Sequence, residues 1–137
     1  MNNQNQILER SVNRPNLTNN QNQNQILDRS VLNDLRDIMG AGFEPLIHAF
    51  IRDADIRLEN LRKSLASQEG EKLRQSAHIF KGSCLNIGAK ELVKICSNLE
   101  CLAKESNLSA AGDLIRKLDG SLRDTKLALL HYLKNMD

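Results

Sequence analysis

Residues 78–88, HIFKGSCLNIG, place an imidazole, an ammonium and a glycine at positions i, i+3 and i+4 of a stretch whose apolar residues repeat with helical spacing. An unprotonated imidazole is a competent nucleophile near neutral pH and can carry a phosphoryl group on nitrogen as a labile phosphoramidate. A lysine one turn along can pair with an anion held there. The glycine costs the helix roughly 1 kcal/mol relative to alanine, so either packing or a visiting partner should need the missing side chain. Stepping about 100° per residue puts Glu71, Arg74, Gln75, His78, Lys81, Gly82 and Leu85 on one face. Leu73, Ala77, Phe80, Cys84 and Ile87 fall on the other. His78 therefore points away from the core, with Arg74 a turn before it and an exposed Leu85 beyond Gly82 as an apolar contact.

Little else in the chain serves phosphoryl transfer. It has no P-loop, no kinase-type glycine-rich loop and no evident carboxylate cluster for magnesium. The metal and much of the transition-state stabilisation must then come from a partner, which makes the expected role a phosphate carrier and not a kinase.

The elements that position this face read as helices throughout. Aromatic content is 3%, Trp is absent, and Leu, Ile, Ala and charged residues dominate the 137 positions. From Asp28, Val31, Leu32, Leu35, Ile38 and Met39 mark a short helix stopped by Gly40. A long amphipathic helix follows, with Pro45 in its first turn and a stripe at Phe43, Leu46, Ile47, Phe50, Ala54, Leu58, Leu61 and Leu65, ending near Gln68. The helix bearing His78 closes at Gly88. The next runs from about Ala89 to Glu105 on Leu92, Ile95, Cys96, Leu99 and Leu102. The last starts after Asn107, where Ser109 can cap it. Four long helices joined by short loops predict an all-α, antiparallel four-helix bundle with a short additional N-terminal helix across one end. The domain spans residues 26–137. Residues 1–25 hold fourteen Asn or Gln, too little apolar surface to offset ordering, and read as a disordered tail. Within it NQILERSV at 5–12 nearly repeats as NQILDRSV at 24–31.

At the residues described above the sequence resembles the histidine-containing phosphotransfer (HPt) domain family, whose helix reads approximately H-x-L-K-G-S/A followed by G-A; here it is HIFKGSCLNIGA. The succeeding ELVKICSNLECLA looks like the family's next helix, and the likeness covers roughly residues 26–137. The resemblance implies that His78 is the phosphoacceptor, that Lys81 favours the phosphorylated form and that Gly82 gives a receiver domain room to dock. It also puts Glu100 at the place of a polar residue on the following helix that sits near the histidine. Phe80 replaces a frequent leucine, and Cys84 takes a site that is usually small. Partners implied are response-regulator receiver domains and a hybrid sensor histidine kinase. This chain binds no cofactor or metal of its own, and magnesium is expected on the partner receiver. Arg74, Gln75, Gly82, Leu85 and Glu100 are the expected partner-binding residues.

Other classes fit less well. With 19 basic and 17 acidic residues interspersed, net +2, there is no electrostatic footprint for nucleic acid. No run of about 18 apolar residues can span a bilayer, and the polar start lacks the basic and apolar regions of a signal peptide, so a cytoplasmic protein is expected, and a monomer, since four helices close one core. Cys84, Cys96 and Cys101 read as reduced core thiols. His48 and His131 lack a following Lys-Gly pair and read as solvated surface residues. A kinase dimerisation helix typically has an acidic residue after its histidine, where Ile79 stands here. The alternative function is a non-phosphorylated helical adaptor that binds a receiver or kinase.

Overall fold

The computed structural model describes residues 25–136; the tail expected to be disordered lies outside them, except for the exposed Gln25. Among the described residues, from Arg29 onward, five α-helices follow in order: α1 (Arg29–Met39), α2 (Phe43–Ala66), α3 (Gly70–Asn86), α4 (Lys90–Lys104) and α5 (Leu108–Lys134), with a short 3-10 turn at Gly40–Gly42 joining α1 to α2. Among the described residues there is no strand. The connections at residues 67–69, 87–89 and 105–107 are too short to do anything but reverse the chain. Successive helices therefore run antiparallel, each packed on its neighbour in sequence, and α5 closes the ring against α2.

The apolar stripes meet in one core. Phe43, Ile47, Leu61, Leu73, Phe80, Leu92, Leu99, Leu118 and Leu129 are almost wholly excluded from solvent, and Phe50 stacks on Phe80 with ring centroids 6.3 Å apart. Phe80 thus fills its place in the core as an aromatic, and Cys84 is buried beside it.

All three turns of the bundle share one geometry. Gln68, Gly88 and Ser106 have φ of 57°, 72° and 58°. The N–H of each donates to the carbonyl three residues back, and the N–H of the next residue to the carbonyl five back, as in Ala89 to Cys84 at 2.9 Å. This is the Schellman closure, which satisfies carbonyls that the helix end would otherwise leave unpaired.

Helix α1 lies over the turn between α3 and α4. Asp28 caps it, its Oδ1 accepting from the N–H groups of Ser30 and Val31 at 3.1 and 3.3 Å. The Asp28 N–H in turn donates to the Gly88 carbonyl at 2.7 Å, and Ile26 and Leu27 are buried just before it. At the other side Tyr132 of α5 donates to Asn33 at 2.5 Å, and Arg29 and Arg36 lie over its ring.

The structure departs from the sequence reading in three places. Ile38 and Met39 are exposed, because α1 covers only one end of the bundle and just Leu32 of its stripe is fully buried. Cys101 is exposed, whereas Cys84 and Cys96 are buried. The cap of α5 is Asn107 and not Ser109: the Asn107 side chain reaches the Ala110 N–H at 3.2 Å, which leaves Ser109 inside the helix.

Candidate functional site

Helix α3 buries Leu73, Ala77, Phe80 and Cys84, and this fixes its rotation so that His78, Gly82 and Leu85 face solvent. The His78 side chain is 65% exposed. Its Nδ1 lies 2.8 Å from Glu100 Oε2 on α4. An ionised carboxylate at this distance accepts, so Nδ1 carries the hydrogen of this contact and Nε2 is the ring nitrogen that Glu100 does not engage. Lys81, one turn along α3, is turned to the same carboxylate, its Nζ 2.5 Å from Glu100 Oε1.

Glu100 is the hinge of this arrangement. Its side chain is only 16% exposed, and Oε1 is sealed from solvent without a well-directed hydrogen bond. The ammonium 2.5 Å away nonetheless supplies a full opposite charge, and the ion pair is what stabilises that oxygen. Burial pushes the Glu100 carboxyl up, but the close Lys81 ammonium and the hydrogen bond with His78 outweigh it, so the acid is held below its ordinary value and ionised.

The other expected site residues separate into two groups. Gly82 opens the surface next to the imidazole: a β-carbon built on it would meet no atom within 4 Å beyond the neighbouring backbone of its own helix. Leu85, 55% exposed, lies at the same face one turn on. Arg74 and Gln75, by contrast, are gathered by Glu71. The Arg74 guanidinium donates to both Glu71 oxygens at 3.0 and 2.6 Å, and Gln75 Nε2 donates at 3.2 Å. The Arg74 hydrogen bond holds the Glu71 acid below the usual carboxylate range. This clamp was not anticipated from the sequence, although Glu and Arg three apart on a helix face are the pattern that makes it.

Elsewhere, His48 is exposed and pairs with Glu44 at 3.7 Å, and His131 lies by Asn135. The hydrogen bond between Cys84 and Cys96, together with burial, pushes the Cys84 thiol up, away from reactivity. Among the described residues no three His, Cys, Asp or Glu side chains converge as metal ligands, and no helix is long and apolar enough to cross a membrane.

An exposed imidazole on a four-helix bundle, held by a carboxylate and flanked by an open glycine, is an arrangement suited to meeting another macromolecule. Residues 45–135 match the Hpt domain family, and the chain belongs to it. The fold agrees with the crystal structure of histidine-containing phosphotransfer protein B (HptB) from Pseudomonas aeruginosa PAO1, at a TM-score of 0.76 and 29% identity, over 81% of this chain and 96% of that one. No curated protein matches the chain. The chain is a histidine phosphotransfer protein of phosphorelay signalling, a phosphocarrier working with receiver domains and kinases.

Proposed function

We propose that His78 is the residue that carries the phosphoryl group, taking it on Nε2 from the aspartyl phosphate of one receiver domain and handing it to the aspartate of another. The observation that carries this reading is the 2.8 Å contact of His78 Nδ1 with an ionised Glu100, which leaves the other nitrogen of an exposed ring as the one available to a partner. Lys81 stands beside it as the nearest cation of α3 in the site. Gly82 and Leu85 form the floor on which a receiver seats, with Arg74 and Gln75 at the N-terminal margin as held by Glu71. Magnesium enters with the receiver, which also supplies the in-line geometry.

The protein has no autokinase activity, acts as a monomer in the cytoplasm, and receives its phosphate from a hybrid sensor kinase through that kinase's receiver. Transfer of labelled phosphate from a phosphorylated receiver with magnesium tests the assignment. Wild type should take up acid-labile, base-stable label, and His78→Gln should take up none while keeping its helical circular dichroism. Equal labelling of the two proteins would reject His78. Labelling by ATP alone would point to a kinase, and binding without labelling to an adaptor.

A further inference from the structure

The sequence NQILERSV at 5–12 recurs at 24–31 as NQILDRSV, with one residue changed. The second copy is a docking segment. Ile26 and Leu27 are 4% and 1% exposed, and the Asp28 N–H donates to the Gly88 carbonyl at 2.7 Å. Arg29 lies over the Tyr132 ring, and Val31 stands 3.1 Å from where a β-carbon on Gly88 would be. Each of these residues except Asp28 has an identical counterpart in the first copy, at Ile7, Leu8, Arg10 and Val12. Asn and Gln recur readily in a stretch so rich in them, but Ile, Leu, Arg, Ser and Val in the same order do not. We propose that residues 5–12 are a second occupant of the seat on the α3–α4 turn, docking there within the same chain when residues 24–31 leave it.

The two copies differ in ways that make the exchange one-sided. Glu9 stands for Asp28; its backbone N–H can serve the Gly88 carbonyl in the same way, but its side chain is outside the set of good N-caps. Beyond Val12 the likeness ends. Asn13 takes the place of the fully buried Leu32, and Arg14 that of Asn33, which accepts from Tyr132. Pro15 follows, and its ring and missing N–H forbid a helix that runs on as α1 does. The first copy therefore carries what fills the seat and lacks what makes α1. Residues 24–31 hold the seat in the intact protein, and the first copy takes it only as α1 comes away.

Reach does not prevent this. In the exchanged state the chain from Asn13 to Gly42 replaces α1 as the link to α2, and extended residues advance about 3.3 Å each against about 1.5 Å in a helix. Tethering holds the first copy at a local concentration of roughly millimolar, so that a weak segment can still compete. Exchange keeps the α3–α4 turn covered while α1 is released. Leu35 and Met39 of α1 line a cleft together with Phe50 of α2 and Phe80 of α3, and their departure opens that side of the helix bearing His78.

Full-length chains carrying Ile26→Ala/Leu27→Ala, Ile7→Ala/Leu8→Ala, both pairs or neither test the proposal by thermal unfolding and amide hydrogen exchange. The tail pair should lower the melting temperature by under about 1 °C in wild type, and by about 5 °C once Ile26 and Leu27 are truncated. The Glu9 amide should exchange at the rate of a free chain in wild type and about tenfold more slowly in Ile26→Ala/Leu27→Ala, with that protection lost when the tail pair is added. Should the Ile26→Ala/Leu27→Ala protein fail to fold, Leu27→Ala alone, a smaller truncation, carries the same comparison. An equal effect of the tail pair in both backgrounds overturns the proposal, and so does a Glu9 amide that exchanges equally fast in every protein. Protection that grows with protein concentration, alongside a dimer in sedimentation, overturns it as well, since the occupant is then the segment of a second copy.

Discussion

Gly82 and Gly88 stand six positions apart on α3 and the turn that ends it, and the same residue type answers opposite demands in the two regions. At Gly88 the backbone is left-handed, φ 72°, and a β-carbon would come within 2.9 Å of the Asp28 carbonyl and 3.1 Å of Val31. At Gly82 the backbone is helical and, apart from the neighbouring backbone of its own helix, nothing of this chain lies within 4 Å of where a β-carbon would be. The first glycine is needed by the fold. The second weakens its own helix by roughly 1 kcal/mol, and no packing within the chain explains it. On the proposed function the space is kept for a receiver domain, on the face that bears His78.

Gly88→Val is expected to have the largest effect. The left-handed backbone costs a side chain about 1–2 kcal/mol, and displacing Asp28 and Val31 adds to it, for a total of about 3 kcal/mol and a melting temperature lower by on the order of 10 °C. Thermal unfolding by circular dichroism checks this. A loss below about 1 kcal/mol would mean that α1 is not held over the α3–α4 turn as described.

Substitutions at Gly82 should separate function from stability. Gly82→Trp should reduce phosphate uptake from a receiver by tenfold or more, while charging of His78 by phosphoramidate, which needs no docking surface, stays near wild type. Gly82→Ala should raise stability by about 0.5–1 kcal/mol, the opposite sign from any change at Gly88. A denaturant midpoint that falls for Gly82→Ala, or undiminished receiver transfer for Gly82→Trp, breaks the contrast between the two glycines.

The contrast also shows what the sequence made readable. Helical periodicity placed all five helices and the rotation of α3, because Leu73, Ala77, Phe80 and Cys84 leave no other face to bury. It identified Gly88 as a helix stop. It could not reveal that the other two turns adopt the same left-handed closure, since Gln68 and Ser106 carry no glycine signature; they tolerate the conformation at a cost that Gly88 avoids. The collision that makes glycine necessary at 88 alone involves Asp28, sixty residues away in sequence, and is purely tertiary. The site follows the same rule. His78, Lys81, Gly82 and Leu85 share one helix and were read from its wheel. The Glu100 contact depends on how α3 and α4 slide past one another, and only family resemblance pointed to it. The wheel likewise put Arg74 near His78 but could not choose between the imidazole and Glu71, to which the guanidinium in fact turns.

Glu100 falls between the two glycines, belonging to the site and contributing to the fold, and pH offers the smallest and most discriminating test. Its carboxyl is depressed below the ordinary 4.5 in the folded protein. Unfolded chains therefore bind its proton more readily than folded ones, so the stabilisation is fully present above pH 4.5 and is lost as pH falls through the lower folded value. Solvent screening of this surface cluster keeps the effect below that of the Gly82 substitutions. The stability difference between wild type and Glu100→Gln should be constant at neutral pH and should change, to the disadvantage of wild type, between about pH 5 and pH 3. Urea titrations across that range measure it. A difference independent of pH would mean that the pairs with Lys81 and His78 do not favour the ionised carboxylate in the folded protein.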